Sequence, residues 1–361
     1  MENIENMDWE NLPSPAEYEK ELKKIRKNLR KRSALVVLTS LVLAAVLLFG
    51  AVQYGIPALE SMYWDPRTVS YGTSEGTDLD MLLGAYDDLF SANTDFTGAK
   101  VSHTGFASYS ITVPITEFKA RYIQRESYWT LEKGDLFMPD GLWNYASHND
   151  VGSIMMTNPE YVKLNRQSIT EKLSQLSEYI QVGAYVTFTE DKTLAEAFAF
   201  RDDICNGNID RVNNTGYCWT AIRHSADMDN TVRCGISSGS LTSQFPEVNE
   251  IYPAFSQTQA YAEMNYSAIY NGPYAQTYEE HFKSLLRYMD DQLKQGTGIP
   301  APASGTGEID PEYYAKALAY VEENGVMAYG CYIFASPKAL LEIMQREDVL
   351  IVMPTEGWLN I

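Results

Sequence analysis

Residues 34–51 read ALVVLTSLVLAAVLLFGA and lie within a longer stretch, residues 33–59, that holds no charged side chain. At a rise of about 1.5 Å per residue, a helix of this length approaches the roughly 30 Å of bilayer hydrocarbon. The stretch predicts one membrane-spanning helix, assigned to residues 34–54. A cleaved leader would have a short basic start, an apolar run of about 7–15 residues and a small-x-small cleavage site. Here 32 residues precede the apolar run, the run is longer, and no such site follows it.

Immediately before the span stand Lys23, Lys24, Arg26, Lys27, Arg30, Lys31 and Arg32, and no comparable cluster follows it. Basic residues collect on the cytoplasmic side of a span, so the N-terminus is expected inside the cell. Tyr54, Tyr63 and Trp64 fall on the other flank, where amphipathic rings favour the interface. Within the tail, residues 1–33, Ser14-Pro15-Ala16-Glu17 has the form of a capping box with proline at the first helical position. Tyr18, Leu22, Ile25 and Leu29 then recur at steps of four, three and four, on one face of a helix whose other faces are basic. Two readings stay open. The helix extends the span and ends in a basic stop, or its apolar face docks a cytosolic partner.

On the far side of the span the composition changes sign. Residues 1–32 carry eight Lys and Arg against seven Asp and Glu, leaving 41 acidic and 20 basic residues for the remainder, a formal charge near −21. Such a field repels nucleic-acid phosphates and anionic head groups, so no nucleic acid is expected as a partner. Residues 55–78 suggest a polar linker, and residues 79–165 a β-rich piece, with a short helix over 78–93 and alternation in VSHTGFASYSITV (101–113) and FKARYIQRESYWTL (118–131). From 166 to 361 helices and strands alternate without a glycine-rich nucleotide loop, and TGIPAPASGTGE (297–308) has the composition of a flexible connector. The fold class expected outside the membrane is α+β, a mixed or antiparallel sheet with packed helices.

No motif announces chemistry. His103, His148, His224 and His281 are far apart and fit no HExxH or similar ligand pair, and no GxSxG, SxxK or P-loop occurs. HSADMD (224–229) lacks the spacing and closing glutamate of a calcium loop. No catalytic residue, metal or cofactor is therefore expected. The four cysteines, Cys205, Cys218, Cys234 and Cys331, permit three pairings; a local Cys205–Cys218 bridge with the other two buried is favoured. Tyr261, Tyr266, Tyr270, Tyr274 and Tyr278 surround an Asn271-Gly272-Pro273 turn. They read as half-buried loop anchors, with glycan stacking as the alternative.

The C-terminal run from Leu318, LAYVEENGVMAYGCYIFASPKALLEIMQREDVLIVMPTEGWLN, resembles the end of the sigma factor regulator family, membrane-bound anti-sigma factors of Gram-positive bacteria. The resemblance rests on YVEENGV (320–326) with Gly325, the strand bearing Tyr329 and Gly330, the helix bearing Lys338, Leu340, Leu341 and Met344, and Trp358. YVTFTED (185–191), Trp219 in WTAI (219–222) and FKSLLRYM (282–289) lie upstream in matching order, so it covers roughly residues 170–361. One departure is Ala335-Ser336-Pro337-Lys338, where the family tends to have Gly-Pro-Thr-Lys; serine and proline still suit a helix start. The resemblance implies a non-enzymatic anti-sigma factor that holds an extracytoplasmic-function sigma factor through the tail and responds to an envelope signal. Tyr18, Leu22, Ile25 and Leu29 become its docking face, with a second small membrane protein as added support. A cell-wall-facing binding module with a mere anchor is the alternative.

Overall fold

The computed structural model describes residues 14–70, 77–92, 94–96, 98–118, 122–138, 159–177, 179–206, 215–226, 233–237, 248–255, 273–302 and 309–355. The chain forms two compact units, Met1–Tyr63 and Trp64–Ile361.

The described residues of the first unit are mainly one long helix. α1 (Pro15–Gly50) starts at the expected capping box: Glu17 N–H donates to Ser14 Oγ (3.4 Å), and Ser14 N–H donates to a Glu17 carboxylate oxygen (3.0 Å). It runs unbroken through the basic cluster and the apolar stretch, since no residue from 16 to 49 is glycine or proline. A π-helical turn, Ala51–Gly55, then leads into α2 (Ile56–Glu60). The wide turn comes just before Pro57, which has no N–H and crowds the carbonyl of the preceding turn. Pro15–Glu60 is the one helix among the described residues long and apolar enough to cross a membrane. The first residues assigned to a linker, 55–60, are therefore helical.

The second unit is α+β, and all its strand pairings are antiparallel. α3 (Asp78–Phe90) opens with a Thr77/Asp80 capping box and is buried nearly all round, as a helix enclosed by other elements must be. The first sheet comprises β1 (Thr94–Phe96), β2 (Lys100–Gly105), β3 (Ser108–Phe118), β4 (Tyr122–Glu132) and β5 (Asp135–Phe137). β3 and β4 form its centre, and β1 and β2 share the far side of β3. In β3, Tyr109, Ile111, Val113 and Ile115 are buried, and in β4 Trp129 and Leu131, the period of two expected of a half-covered sheet. Pro114, which has no N–H to donate, falls between the stretches of β3 paired to β2 and to β1. Lys133 and Gly134, both with positive φ, make the two-residue β4–β5 turn.

α4 (Pro159–Ser174) precedes β6 (Val182–Thr193), α5 (Leu194–Asn206), β7 (Gly216–Arg223), β8 (Cys234–Ser237) and α6 (Val248–Ile251). Then come α7 (Pro273–Lys294), α8 (Tyr313–Asn324), β9 (Met327–Ala335), α9 (Pro337–Met344) and β10 (Val349–Pro354). The second sheet runs β10-β6-β9-β7-β8. α5 lies on β6, β7 and β9, α7 packs with α5 and α8, and α4 with α9 covers β10. α3 contacts β1, β8 and α7, so it belongs by packing to both sides of the boundary expected at 165/166. Part of the expected flexible connector is pinned: Ile299 and Ala301 are buried and Tyr314 donates to the Ile299 carbonyl at 3.0 Å. Gly298 permits this, because a Cβ there would stand 2.4 Å from the Leu293 nitrogen.

Candidate functional site

The tail carries an apolar face that its own helix leaves open. No residue of α1 is buried; Tyr18, Ile25 and Leu29 are 60 %, 52 % and 57 % exposed and Leu22 is half-buried. A soluble helix with an apolar stripe normally closes it against a core. Here the stripe is flanked by the exposed Lys23, Lys24, Arg26, Lys27, Arg30, Lys31 and Arg32. Lys23 pairs with Glu19 at 3.8 Å, an exposed ion pair of little energetic weight.

The residues of the C-terminal resemblance have structural positions. Trp219 is buried in β7 and its indole N–H donates to the Asp88 carbonyl of α3 at 3.1 Å. With Tyr185, Ala221, Tyr329, Tyr332 and Ala92 it forms a small cluster on the face of the second sheet opposite the main core. Gly330 sits mid-sheet, opposite Thr187 of β6 and Ala221 of β7. Gly325 ends α8 at φ 80°, a conformation that favours glycine, and its N–H donates to Val321 O. Lys338 is exposed on α9, whose N-cap Ser336 accepts from the Ala339 N–H at 3.2 Å. Trp358 lies outside the described residues.

Two of the scattered histidines are interior. His281 is fully buried in α7; Nε2 lies 3.1 Å from Asp88 and Nδ1 3.0 Å from the Ala254 carbonyl. A carbonyl only accepts, so Nδ1 carries a proton. Burial pushes the Asp88 carboxyl up, and its hydrogen bond and charge interaction with His281 pull the other way. His224 bonds the Ile222 carbonyl through Nδ1, which therefore carries a proton, and meets the Tyr313 hydroxyl through Nε2, each at 2.9 Å. His103 is exposed on β2, edge-on to Tyr109, and His148 lies outside the described residues. The sequence reading missed the Asp88–His281 pair; its local signal is the Asp87-Asp88 pair of carboxylates between the apolar residues of α3.

The favoured Cys205–Cys218 bridge is not formed, and all four cysteines are free thiols. Cys205 packs against the main core and Cys218 against the cluster around Trp219. Burial pushes the Cys218 and Cys234 thiols up to about 12. Such thiols are poor nucleophiles and poor metal ligands. Among the described residues no group of three or more His, Cys, Asp or Glu could hold a metal ion. Tyr278 is buried in α7, an anchor and not a stacking platform; Tyr261, Tyr266 and Tyr270 lie outside the described residues. An open groove of about 590 Å³ between α7 and α8 is lined by Leu293 and Ile309 and by the ion pairs Lys294–Asp290 and Lys316–Glu312.

The chain matches no protein-family model, no curated protein and no solved structure.

Proposed function

We propose that the protein is a single-pass membrane anti-sigma factor that holds an extracytoplasmic-function sigma factor through the face carrying Tyr18, Leu22, Ile25 and Leu29. The observation that carries this reading is the stripe left open on a helix continuous with an apolar span. Burying each aliphatic side chain of the stripe contributes about 1.5–3 kcal/mol, which a partner supplies where none of the described residues covers it. The basic cluster before the span supports a cytoplasmic position for that face. The resemblance of residues 170–361 to sigma factor regulators names the partner class, and the α+β domain outside the membrane then senses or scaffolds without catalysis. Four side chains bury little area for a stable complex, so a second small membrane protein supports the docking.

The test is capture of the cell's sigma factors on the full-length, detergent-solubilised protein. One extracytoplasmic-function sigma factor should be retained, and lost when Leu22→Asp and Ile25→Asp are combined. If no sigma factor is retained, residues 1–33 are an anchor and the reading fails.

A further inference from the structure

We infer that α1 also pairs in parallel with α1 of a second copy of this chain, through the same four side chains. Tyr18 and Ile25 stand seven residues apart, as do Leu22 and Leu29, the spacing of the two positions of a coiled-coil seam. Tyr18 and Ile25 take one of the two seam positions and Leu22 and Leu29 the other. Glu21 and Arg26 then flank the seam on opposite sides. In a parallel pair the residue preceding one seam position faces the partner residue five places further on, so Glu21 of each copy meets Arg26 of the other. Both side chains are exposed, and two opposite charges meet twice. Lys20, Lys23, Lys24, Lys27, Arg30 and Lys31 all take positions away from the seam.

Membrane insertion chooses the occupant. Copies inserted the same way can pair only in parallel, the arrangement in which Glu21 and Arg26 are complementary. Arg32 takes the next seam position, so the pairing face ends at Leu29. Two heptads are fewer than a free coiled coil needs. Confinement of both helices to one membrane in one orientation raises their effective concentration and offsets that shortfall. The inference rests on the docking-face reading for one consequence alone: a second copy and a cytosolic partner compete for the same side chains.

The experiment uses full-length protein in isolated membranes washed free of cytosol, with a short thiol-specific crosslinker. Ile25→Cys should give several-fold more covalent dimer than Lys27→Cys or the unsubstituted chain, whose own four thiols set the background. Adding Glu21→Arg to the Ile25→Cys protein should lower the yield several-fold, and adding Arg26→Glu as well should restore it. Equal yields at 25 and 27, no yield above background at 25, or no restoration by the charge exchange each overturns self-pairing. Failure here with a sigma factor still captured removes self-pairing and leaves docking; dimer with no captured sigma factor does the reverse.

Discussion

The His281 imidazole and the Asp88 carboxyl meet at 3.1 Å with no part of the histidine exposed, joining α7 to α3. Trp219 of β7 bonds the backbone carbonyl of the same Asp88, so one residue ties a helix and the second sheet to α3. Whether the proton sits on the carboxyl or on the ring, the pair as a whole is neutral, which is how such groups tolerate burial.

Removing one partner leaves the other buried and unsatisfied, at a cost of about 1–3 kcal/mol. His281→Ala should therefore lower stability toward urea by that amount, while His103→Ala, on an exposed edge, should leave it unchanged. Equal midpoints for the two variants would show that the pair carries no stability.

Asp88 also sets a pH dependence. Its carboxyl is raised in the folded state, so the folded protein holds that proton over a range in which the unfolded chain has lost it. Its contribution is full below the ordinary aspartate range and declines as pH rises through the raised value. Asp88→Asn should flatten this part of the stability profile; unfolding midpoints of both proteins across mildly acidic to neutral pH measure it, and parallel profiles would contradict it.

Gly235 of β8 is matched to the Trp219 ring. A Cβ there would lie 2.0 Å from the Thr220 carbonyl oxygen and 2.5 Å from the indole. Gly235→Ala should cost about 1–3 kcal/mol of stability by overpacking and alter the tryptophan fluorescence. Wild-type unfolding in that variant would mean the strand moves aside freely.

The orientation proposed from the basic cluster is checked with intact, wall-stripped cells. Added protease should digest the chain beyond Trp64 while an epitope tag at Met1 survives. Loss of that tag with protection of the C-terminal part would invert the topology and remove the cytoplasmic docking face.

Leu22→Asp with Ile25→Asp should remove roughly 3–6 kcal/mol of docking energy, two to four orders of magnitude in affinity. Under the proposed function the sigma factor is freed and its regulon rises, with membrane insertion and protein level normal. Unchanged transcription of every alternative sigma regulon would show that the stripe does not hold a sigma factor.

The sequence by itself determined the parts whose cause is local. Ser14 and Glu17 cap a helix within four residues of each other, and the uncharged run of residues 33–59 determines a span-length helix by composition alone. The alternation of Tyr109, Ile111, Val113 and Ile115 likewise marks a strand with one covered face. Only the tertiary structure decided the rest. β8 is four residues long and β6 pairs with β9 and β10 from the far end of the chain, pairings that depend on which surfaces remain when the helices have packed. Asp88 and His281 stand 193 residues apart and neither shows a partner in its neighbourhood of sequence. Side chains that meet only through closure of a long loop leave no spacing to read, because their distance is set by the packing of α3 against α7 and not by the rise of any one helix or strand.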